Sequence, residues 1–327
     1  MINNTFFPLI DVSLWALDDE YGIYPFGARD KSLLISPENK QTYIINNHRY
    51  LFKESFSRYP HQFWCEVIAY HIGCLLGVNV PKAIPAIRKV NGKTVYGALI
   101  EWFLSYSVNE GQKQTLWHGG EWMKAIRPDY DTAKGKQHNL ENVLTICKIL
   151  TRNYYEYWLK TLFFDSVIGN TDRHHDNWGF IFDSSESVPP KKYKCKLSPV
   201  FDNGTSLGHE ILENNFYKFN DNSYLIRYIT RGQHHMKISK KSDFSRLRGE
   251  THLEMIRYLW NNFKSYRKIM LNMILNDTSF IELEMLLTYY TELKQICPPF
   301  SLTIARTEFT LKLLRKRNEL LKEILEQ

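Results

Sequence analysis

Two polar segments in the second half of the chain carry the residue types that phosphoryl transfer requires. Asp172 and Asn177 lie five positions apart, and Asp202 is followed two residues later by Gly204. One carboxylate can orient an attacking hydroxyl and accept its proton, while an amide oxygen and a second carboxylate can hold Mg²⁺ against phosphates. We therefore predict Asp172 as the catalytic base, with Asn177 and Asp202 as the metal ligands.

The order and spacing of these residues resemble those of the HipA-like kinases. Asp-x4-Asn is the spacing of the protein-kinase catalytic loop, and Asp-x-Gly is similar to its metal-binding Asp-Phe-Gly element. The run Asn170–His174 with Asn177 downstream, followed by Pro199-Val200-Phe201-Asp202, resembles the HipA-like signature. That family phosphorylates serine or threonine on proteins and is distantly similar to phosphatidylinositol kinases. The resemblance extends from about Gly22 to Ile304 and rests on four short motifs.

The same resemblance implies a nucleotide site in the first third of the chain. The run 27–32, Gly-Ala-Arg-Asp-Lys-Ser, resembles a phosphate loop, whose backbone N–H groups can cradle phosphate oxygens. Lys53 resembles the strand lysine that contacts the α- and β-phosphates, and Glu66 would pair with it. Residues 100–103 resemble the inter-lobe hinge, whose backbone meets the adenine. With ATP and Mg²⁺ as the implied cofactors, the implied nucleotide contacts are Gly27, Ala28, Lys31, Lys53, Glu66, Glu101, Trp102 and Phe103.

The sequence departs from the family pattern in two places. HipA-type toxins often carry a phosphorylatable serine just before the loop glycine, where this chain has Tyr24-Pro25-Phe26. Ser32 is a substitute site for autophosphorylation. The resemblance does not include the long N-terminal extension of full-length HipA toxins, so we expect the chain to resemble the compact members of the family.

Residues 1–103 have the pattern of a small strand-rich lobe. Residues 42–45 and 49–53 flank Asn-Asn-His and predict a hairpin. A helix is predicted from about Phe63 to Leu76, ended by Gly77, and residues 95–103 predict another strand. A strand, strand, helix, strand order describes an α+β lobe.

Residues 104–327 predict a larger helical lobe, and the whole chain a two-lobed, protein-kinase-like α+β fold. Residues 110–138, rich in Gly, Lys, Gln and His, predict a surface loop. Helices are predicted from Asn139 and over 154–168, and three more after residue 250, the last over 302–325. We expect the basic residues of this last helix to form a solvated face. They are Lys312, Arg315, Lys316 and Arg317.

Composition narrows the class of protein. The 327 residues carry a net charge of +7, which favours anionic partners such as nucleotides, acidic proteins or nucleic acid and fixes none of them. We do not expect nucleic acid as the primary partner. Five scattered cysteines without a CxxC pair argue against a disulfide framework.

Neither a signal peptide nor a membrane span is predicted. We expect a cytoplasmic bacterial protein, or one delivered to a host cell without a cleaved signal. A protein substrate, and an antitoxin or regulatory partner, are implied by the resemblance.

Other interpretations of the same residues stay open. Asp172 and Asn177 are also residue types that favour turns. The pairs His174-His175 and His234-His235 suggest zinc, but adjacent side chains on a regular element point apart, so we expect His174 to order the loop through a hydrogen bond. The alternative functions are a lipid kinase, a nucleotide-binding pseudokinase that acts as an interaction protein, and a metal-dependent hydrolase that uses Asp172, His174 and Asp202.

Overall fold

A six-stranded sheet forms the first part of the protein. The computed structural model describes residues 6–18, 30–104, 112–185, 194–239, 241, 245 and 248–327. The strands are β1 (Ile10–Asp11), β2 (Ala16–Leu17), β3 (Lys31–Ile35), β4 (Arg49–Glu54), β5 (Ala83–Val90) and β6 (Lys93–Glu101). Their order in the sheet is β1-β5-β6-β4-β3-β2, with β1 parallel to β5 and the other pairs antiparallel.

Local chemistry explains the turn and the helix that shape this sheet. Asn91 and Gly92, which join β5 to β6, both have positive φ (50° and 75°), as a tight hairpin turn with the twist of its strands requires. The predicted helix is present as α1 (Gln62–Leu76), and it ends at Gly77, whose φ of 63° is left-handed. One face of α1 packs against β5 and β6.

The predicted hairpin between residues 42–45 and β4 is wrong. The strand beside β4 on that side is β3, with Lys31 opposite Lys53, and residues 42–45 form turns. Ile44 is buried in the core although it does not lie on a strand. The N–H of the next residue, Ile45, donates to the Tyr50 hydroxyl at 2.9 Å. Apolar residues of this stretch therefore pack into the core beside the sheet although they lie in turns.

The surface loop predicted for residues 110–138 is also wrong, because much of this segment is regular structure. Strand β7 (Gln112–His118) leads directly into helix α2 (Gly119–Ile126). β7 pairs with β8 (Gly179–Ser185), which pairs with β9 (Lys194–Leu197) in a second, three-stranded sheet. The partner of β7 lies some sixty residues further along the chain, so no local pattern signals the pairing.

Helices make up most of the rest of the described chain. They are α3 (Leu140–Leu150), α4 (Tyr154–Ile168), α5 (Asn222–Thr230), α6 (His252–Asn262), α7 (Arg267–Asn272), α8 (Asp277–Thr291) and α9 (Ile304–Leu325). The helices expected at residues 139 and 154 are confirmed, and four helices, where three were predicted, follow residue 250. α4 lies in the middle of the largest core and contacts α3, α6, α7 and α9. Among the described residues, no helix is both long and apolar enough to span a bilayer.

The expectation of a solvated basic face on α9 is wrong for Arg317. This side chain is only 5% exposed and packs against Gly169, the residue that ends α4. A Cβ at Gly169 would lie 2.4 Å from the guanidinium, and φ there is 69°, so both space and backbone require glycine. The long, amphipathic arginine side chain therefore points into the protein, where it contacts the first residue of the loop that follows α4.

Candidate active site

Three charged side chains from distant parts of the sequence meet at one point. Lys53, on β4, donates from Nζ to Glu66 Oε1 at 2.8 Å and also contacts Asp202 Oδ1. The other oxygen of Glu66 accepts the N–H of Asn203 at 2.9 Å, so α1 is tied to the segment that carries Asp202. The expected pairing of Lys53 with Glu66 is present, and both side chains are buried.

The charged cluster lies in a cleft of about 630 Å³ between the sheet and the helical part. The cleft brings together eight residues predicted from the sequence: Lys31, Lys53, Glu66, Glu101, Trp102, Phe103, Asn177 and Asp202. Apolar side chains form much of the remaining wall: Leu51, Val80, Ala83, Ile100, Leu116 and Phe201. One end of the cleft is thus charged and the rest suits a flat apolar group. Gly27 and Ala28 lie outside the described residues.

Asp172 lies in a short loop after α4. The backbone N–H and carbonyl of Asp172 make hydrogen bonds within this loop and stabilise its conformation. Its N–H donates to Asn170 Oδ1 at 3.0 Å, and its carbonyl accepts both the Asn177 side-chain amide at 2.7 Å and the His174 N–H at 2.8 Å. His174 Nδ1 in turn accepts the N–H of Asp176 at 3.1 Å, so the predicted ordering role of His174 is confirmed. Asp172 itself is half-buried and is not among the described residues that line the cleft, whereas Asn177, five residues on, lines it.

Arg173 joins this loop to the segment that carries Asp202. Its buried guanidinium binds both oxygens of Asp165 on α4, at 2.8 and 3.1 Å. It also donates to the carbonyl of Asn177 at 3.1 Å, to the carbonyl of Phe201, and to Asn203 Oδ1 at 2.7 Å. Burial acts to lower its pKa, but the charge and hydrogen bonds of Asp165 outweigh that effect and the pKa is raised. One planar cation therefore sets the relative positions of two loops and a helix.

The electrostatic surroundings of Asp172 favour a carboxyl that takes up a proton more readily than usual. Burial raises its pKa first, and the nearby charge of Asp202 adds to this, while His174 and Arg248 oppose it. Burial lowers the pKa of His174, so that its ring is neutral at neutral pH and accepts the Asp176 N–H. A carboxylate with a raised pKa is suited to accept a proton in catalysis.

Asn177 and Asp202 have the chemistry of a Mg²⁺ site. The side-chain nitrogen of Asn177 is used by the Asp172 carbonyl, which leaves its oxygen as the amide atom for the cleft. Asp202 has a left-handed backbone, with φ of 58°, which aspartate tolerates better than most residues. A strained residue of this kind beside a cleft is a marker of function. Carboxylate and amide oxygens, with phosphate oxygens and water, are the ligands that Mg²⁺ takes.

At the other end of the cleft, the backbone of the predicted hinge is partly engaged. The N–H of Trp102 donates to the Arg49 carbonyl at 3.1 Å, and its carbonyl contacts His48 Nε2 at 3.0 Å. Both backbone groups of Trp102 therefore point toward β4. Because successive residues of an extended chain direct these groups to opposite sides, the Glu101 carbonyl and the Phe103 N–H are the groups left to meet a ligand.

Several residues of the site were not predicted from the sequence. Leu116, His118 and Glu121 line the cleft from β7 and α2, the segment taken for a loop. His118 Nδ1 contacts the Asp176 carbonyl at 2.8 Å, and so ties this segment to the loop after α4. The hydrophobic residues near Trp117 are the only signal in the sequence, and they do not indicate the partner strand. Arg173 lay within a recognised motif, but its contacts depend on the fold.

The fold is similar to that of a solved kinase structure. No family model matches the sequence, and no curated protein matches it. The crystal structure of a proinflammatory kinase, CtkA, from Helicobacter pylori has a TM-score of 0.68 to this chain at 17% identity. The alignment covers 97% of this chain and 96% of that one. The expected α+β, two-lobed, kinase-like fold is therefore confirmed.

Proposed function

We propose that this protein is an ATP- and Mg²⁺-dependent kinase of the HipA-like type that phosphorylates serine or threonine on another protein. The observation that carries the proposal is the contact of Lys53 with both Glu66 and Asp202 inside the cleft. A lysine on a strand, a glutamate on the first helix and a metal-binding aspartate form the phosphate end of a kinase site. The sequence separation of these three residues makes a chance meeting a poor explanation.

Lys31 supports a polyphosphate ligand independently. It lies directly opposite Lys53 on the neighbouring strand, and both side chains line the cleft. Lys53 is already paired with Glu66 and Asp202. Lys31 would add a further positive charge at this end of the cleft, which suits the α- and β-phosphates of ATP. We propose that the adenine lies against the apolar walls and meets the backbone of Glu101 and Phe103.

In this proposal Asp172 is the catalytic residue. Its carboxylate accepts the proton of the serine or threonine hydroxyl, whose oxygen forms a bond to the γ-phosphorus while the bond to the ADP oxygen breaks. Asn177 and Asp202 would hold Mg²⁺, which neutralises phosphate charge. Arg173 acts through these residues, because it fixes the Asn177 and Phe201 carbonyls relative to each other.

The proposal also covers the biological setting. We propose action as a bacterial toxin or effector, either in the cytoplasm of the producing cell or after delivery to a host cell. An antitoxin or other regulatory protein is the expected partner. Affinity purification of the protein from its producing cells tests for that partner, and fractionation of producing and host cells tests for the location.

Incubation with γ-labelled ATP, a mixture of cell proteins and phosphatidylinositol vesicles separates the alternative functions. We expect label on serine or threonine of protein, lost in Asp172→Ala. Label on lipid would indicate a lipid kinase, release as free phosphate a hydrolase, and nucleotide binding without any transfer a pseudokinase. Each of these three results would contradict the proposal.

A further inference from the structure

A second cavity, of about 430 Å³, adjoins the loop that carries Asp172. Its wall includes Thr171, the residue before Asp172, and Thr205, whose hydroxyl donates to Asn170 Oδ1 at 3.0 Å. The same Asn170 oxygen accepts the N–H of Asp172 at 3.0 Å. The cavity is therefore built on the residues that position the proposed catalytic base.

Arg317 gives this cavity a buried positive charge. Its side chain donates to the Ser166 carbonyl at 3.4 Å, a long hydrogen bond, and no salt bridge joins it to a carboxylate in the described part of the chain. Burial lowers the pKa of the guanidinium. The C-terminal end of α4, where Ser166 lies, offsets part of the cost of the buried charge. The charges of Glu210, in the cavity wall, and of Tyr228 oppose the effect of burial in part. A buried cation that is only partly compensated is unfavourable, so the cavity favours an anion.

Two further arginines, Arg227 and Arg231, contribute from the C-terminal end of α5. Both are exposed and both line the cavity. One carboxylate, that of Glu210, also lines it and accepts the Tyr228 hydroxyl at 2.6 Å. Three arginines and one glutamate give the lining a net charge of +2. A phosphoserine or phosphothreonine carries about −1.5 to −2 at neutral pH, which matches this charge.

We propose that this cavity binds the phosphate group of a phosphorylated serine or threonine in the polypeptide substrate. The inference rests on the proposed function and adds a substrate class: chains that already carry a phosphate near the acceptor hydroxyl. A glutamate or aspartate offers one charge and two oxygens, whereas a phosphate offers three oxygens to three guanidinium groups. Because Thr171 adjoins Asp172, the phosphate and the acceptor lie within a few residues of each other in the substrate.

Calorimetric titration tests the proposal without any transfer step. The phosphatase-treated protein is saturated with Mg²⁺ and a non-hydrolysable ATP analogue, so that the nucleotide cleft is blocked. Four probes are then compared: the blocked tripeptide Gly-phosphoserine-Gly, the same peptide with serine, the same peptide with glutamate, and inorganic phosphate. The test variant is Arg227→Gln with Arg231→Gln. Its matched control, Arg152→Gln with Arg257→Gln, removes the same charge from exposed arginines outside the cavity.

We expect one phosphoserine peptide to bind per protein, at least tenfold more tightly than the other three probes. The test variant should lose at least tenfold in affinity and the control should not change. Binding of inorganic phosphate as tight as the phosphopeptide would indicate a site for the free ion. Equal binding of the glutamate peptide would indicate a general acidic site. Either result, equal loss in the control, or no binding at all would overturn the proposal.

These experiments can refute either of the two proposals without refuting the other. If the phosphopeptide binds as expected but labelled ATP transfers nothing to protein, the kinase assignment fails and the phosphate site stands. If label is transferred in an Asp172-dependent manner and the phosphopeptide does not bind, the kinase assignment stands and the cavity has no such role.

Discussion

Arg173 donates hydrogen bonds to four residues around the site, and in the proposed function it acts by positioning other groups. Its guanidinium spans Asp165, the carbonyls of Asn177 and Phe201, and Asn203. Lysine would keep the charge but not the planar fork that binds a carboxylate and two carbonyls at once. The residue therefore sets the geometry between the proposed base and the proposed metal ligands.

We predict that Arg173→Lys reduces both stability and transfer. Loss of the two-oxygen contact leaves Asp165 poorly compensated in the core, at a cost of about 3 kcal/mol in the free energy of unfolding. Urea unfolding measures this cost, and steady-state transfer should show a larger loss in kcat than in the KM for ATP. A variant with normal kcat and reduced stability would show that Arg173 is structural only.

At the scale of elements, the site depends on close contact between β4 and β6. A Cβ at Gly97, on β6, would lie 2.6 Å from the Lys53 carbonyl and 3.0 Å from the Phe52 ring. Any side chain there must push β4, and with it Lys53, away from the cleft. Gly92, in the turn between β5 and β6, has nothing within 4 Å of its Cβ position but a φ of 75°.

We predict that Gly97→Ala and Gly92→Ala destabilise the protein for different reasons and differ in nucleotide binding. Overpacking at Gly97 should cost about 1–3 kcal/mol, and backbone strain at Gly92 about 1–2 kcal/mol. Only Gly97→Ala should weaken ATP binding, by several-fold, because only it displaces Lys53. Thermal unfolding and nucleotide titration of both variants test this, and equal ATP affinity in the two would refute the argument.

The elements also show what a sequence can and cannot predict. The α1 helix, its glycine end and the Lys53–Glu66 pair follow from local periodicity and a motif, and all are present. The pairing of β7 with β8 joins residues far apart in the chain, and no sequence pattern near Gln112–His118 predicts it. Arg317 was predicted as solvated because charge alone does not show that Gly169 leaves room for it.

At the scale of the whole molecule, buried histidines link stability to pH. His138, His234 and His252 are fully buried, and burial is the main cause of their lowered pKa, to about 4 for His234 and well below the ordinary value for the other two. His138 Nε2 accepts the Trp178 N–H at 3.0 Å, a bond that requires an unprotonated nitrogen. The folded protein thus keeps these rings neutral where the unfolded chain would protonate them.

We predict a loss of stability as the pH falls below about 6.5, the ordinary histidine pKa. Between that pH and the lowered pKa values the unfolded chain binds more protons, so acid favours unfolding. The pKa values of His61, His71 and His235 are lowered by burial in the same way. Because each such group costs up to about 1.4 kcal/mol per pH unit in this window, stability should fall by several kcal/mol, on the order of 4 or more, from pH 7.5 to pH 5.5. Urea unfolding at the two pH values measures the difference. Equal stability at both pH values would contradict the prediction.

In the proposed function, Asp172 enables transfer of phosphate from ATP to protein hydroxyls. Phosphoproteomics of cells that express the wild type or Asp172→Ala at equal levels tests it most directly, with ATP binding of both purified proteins as the check on folding. We predict a set of serine and threonine phosphosites that is present with the wild type and absent with the variant, while both bind ATP. The same phosphosites with both proteins, or none with either, would contradict the account.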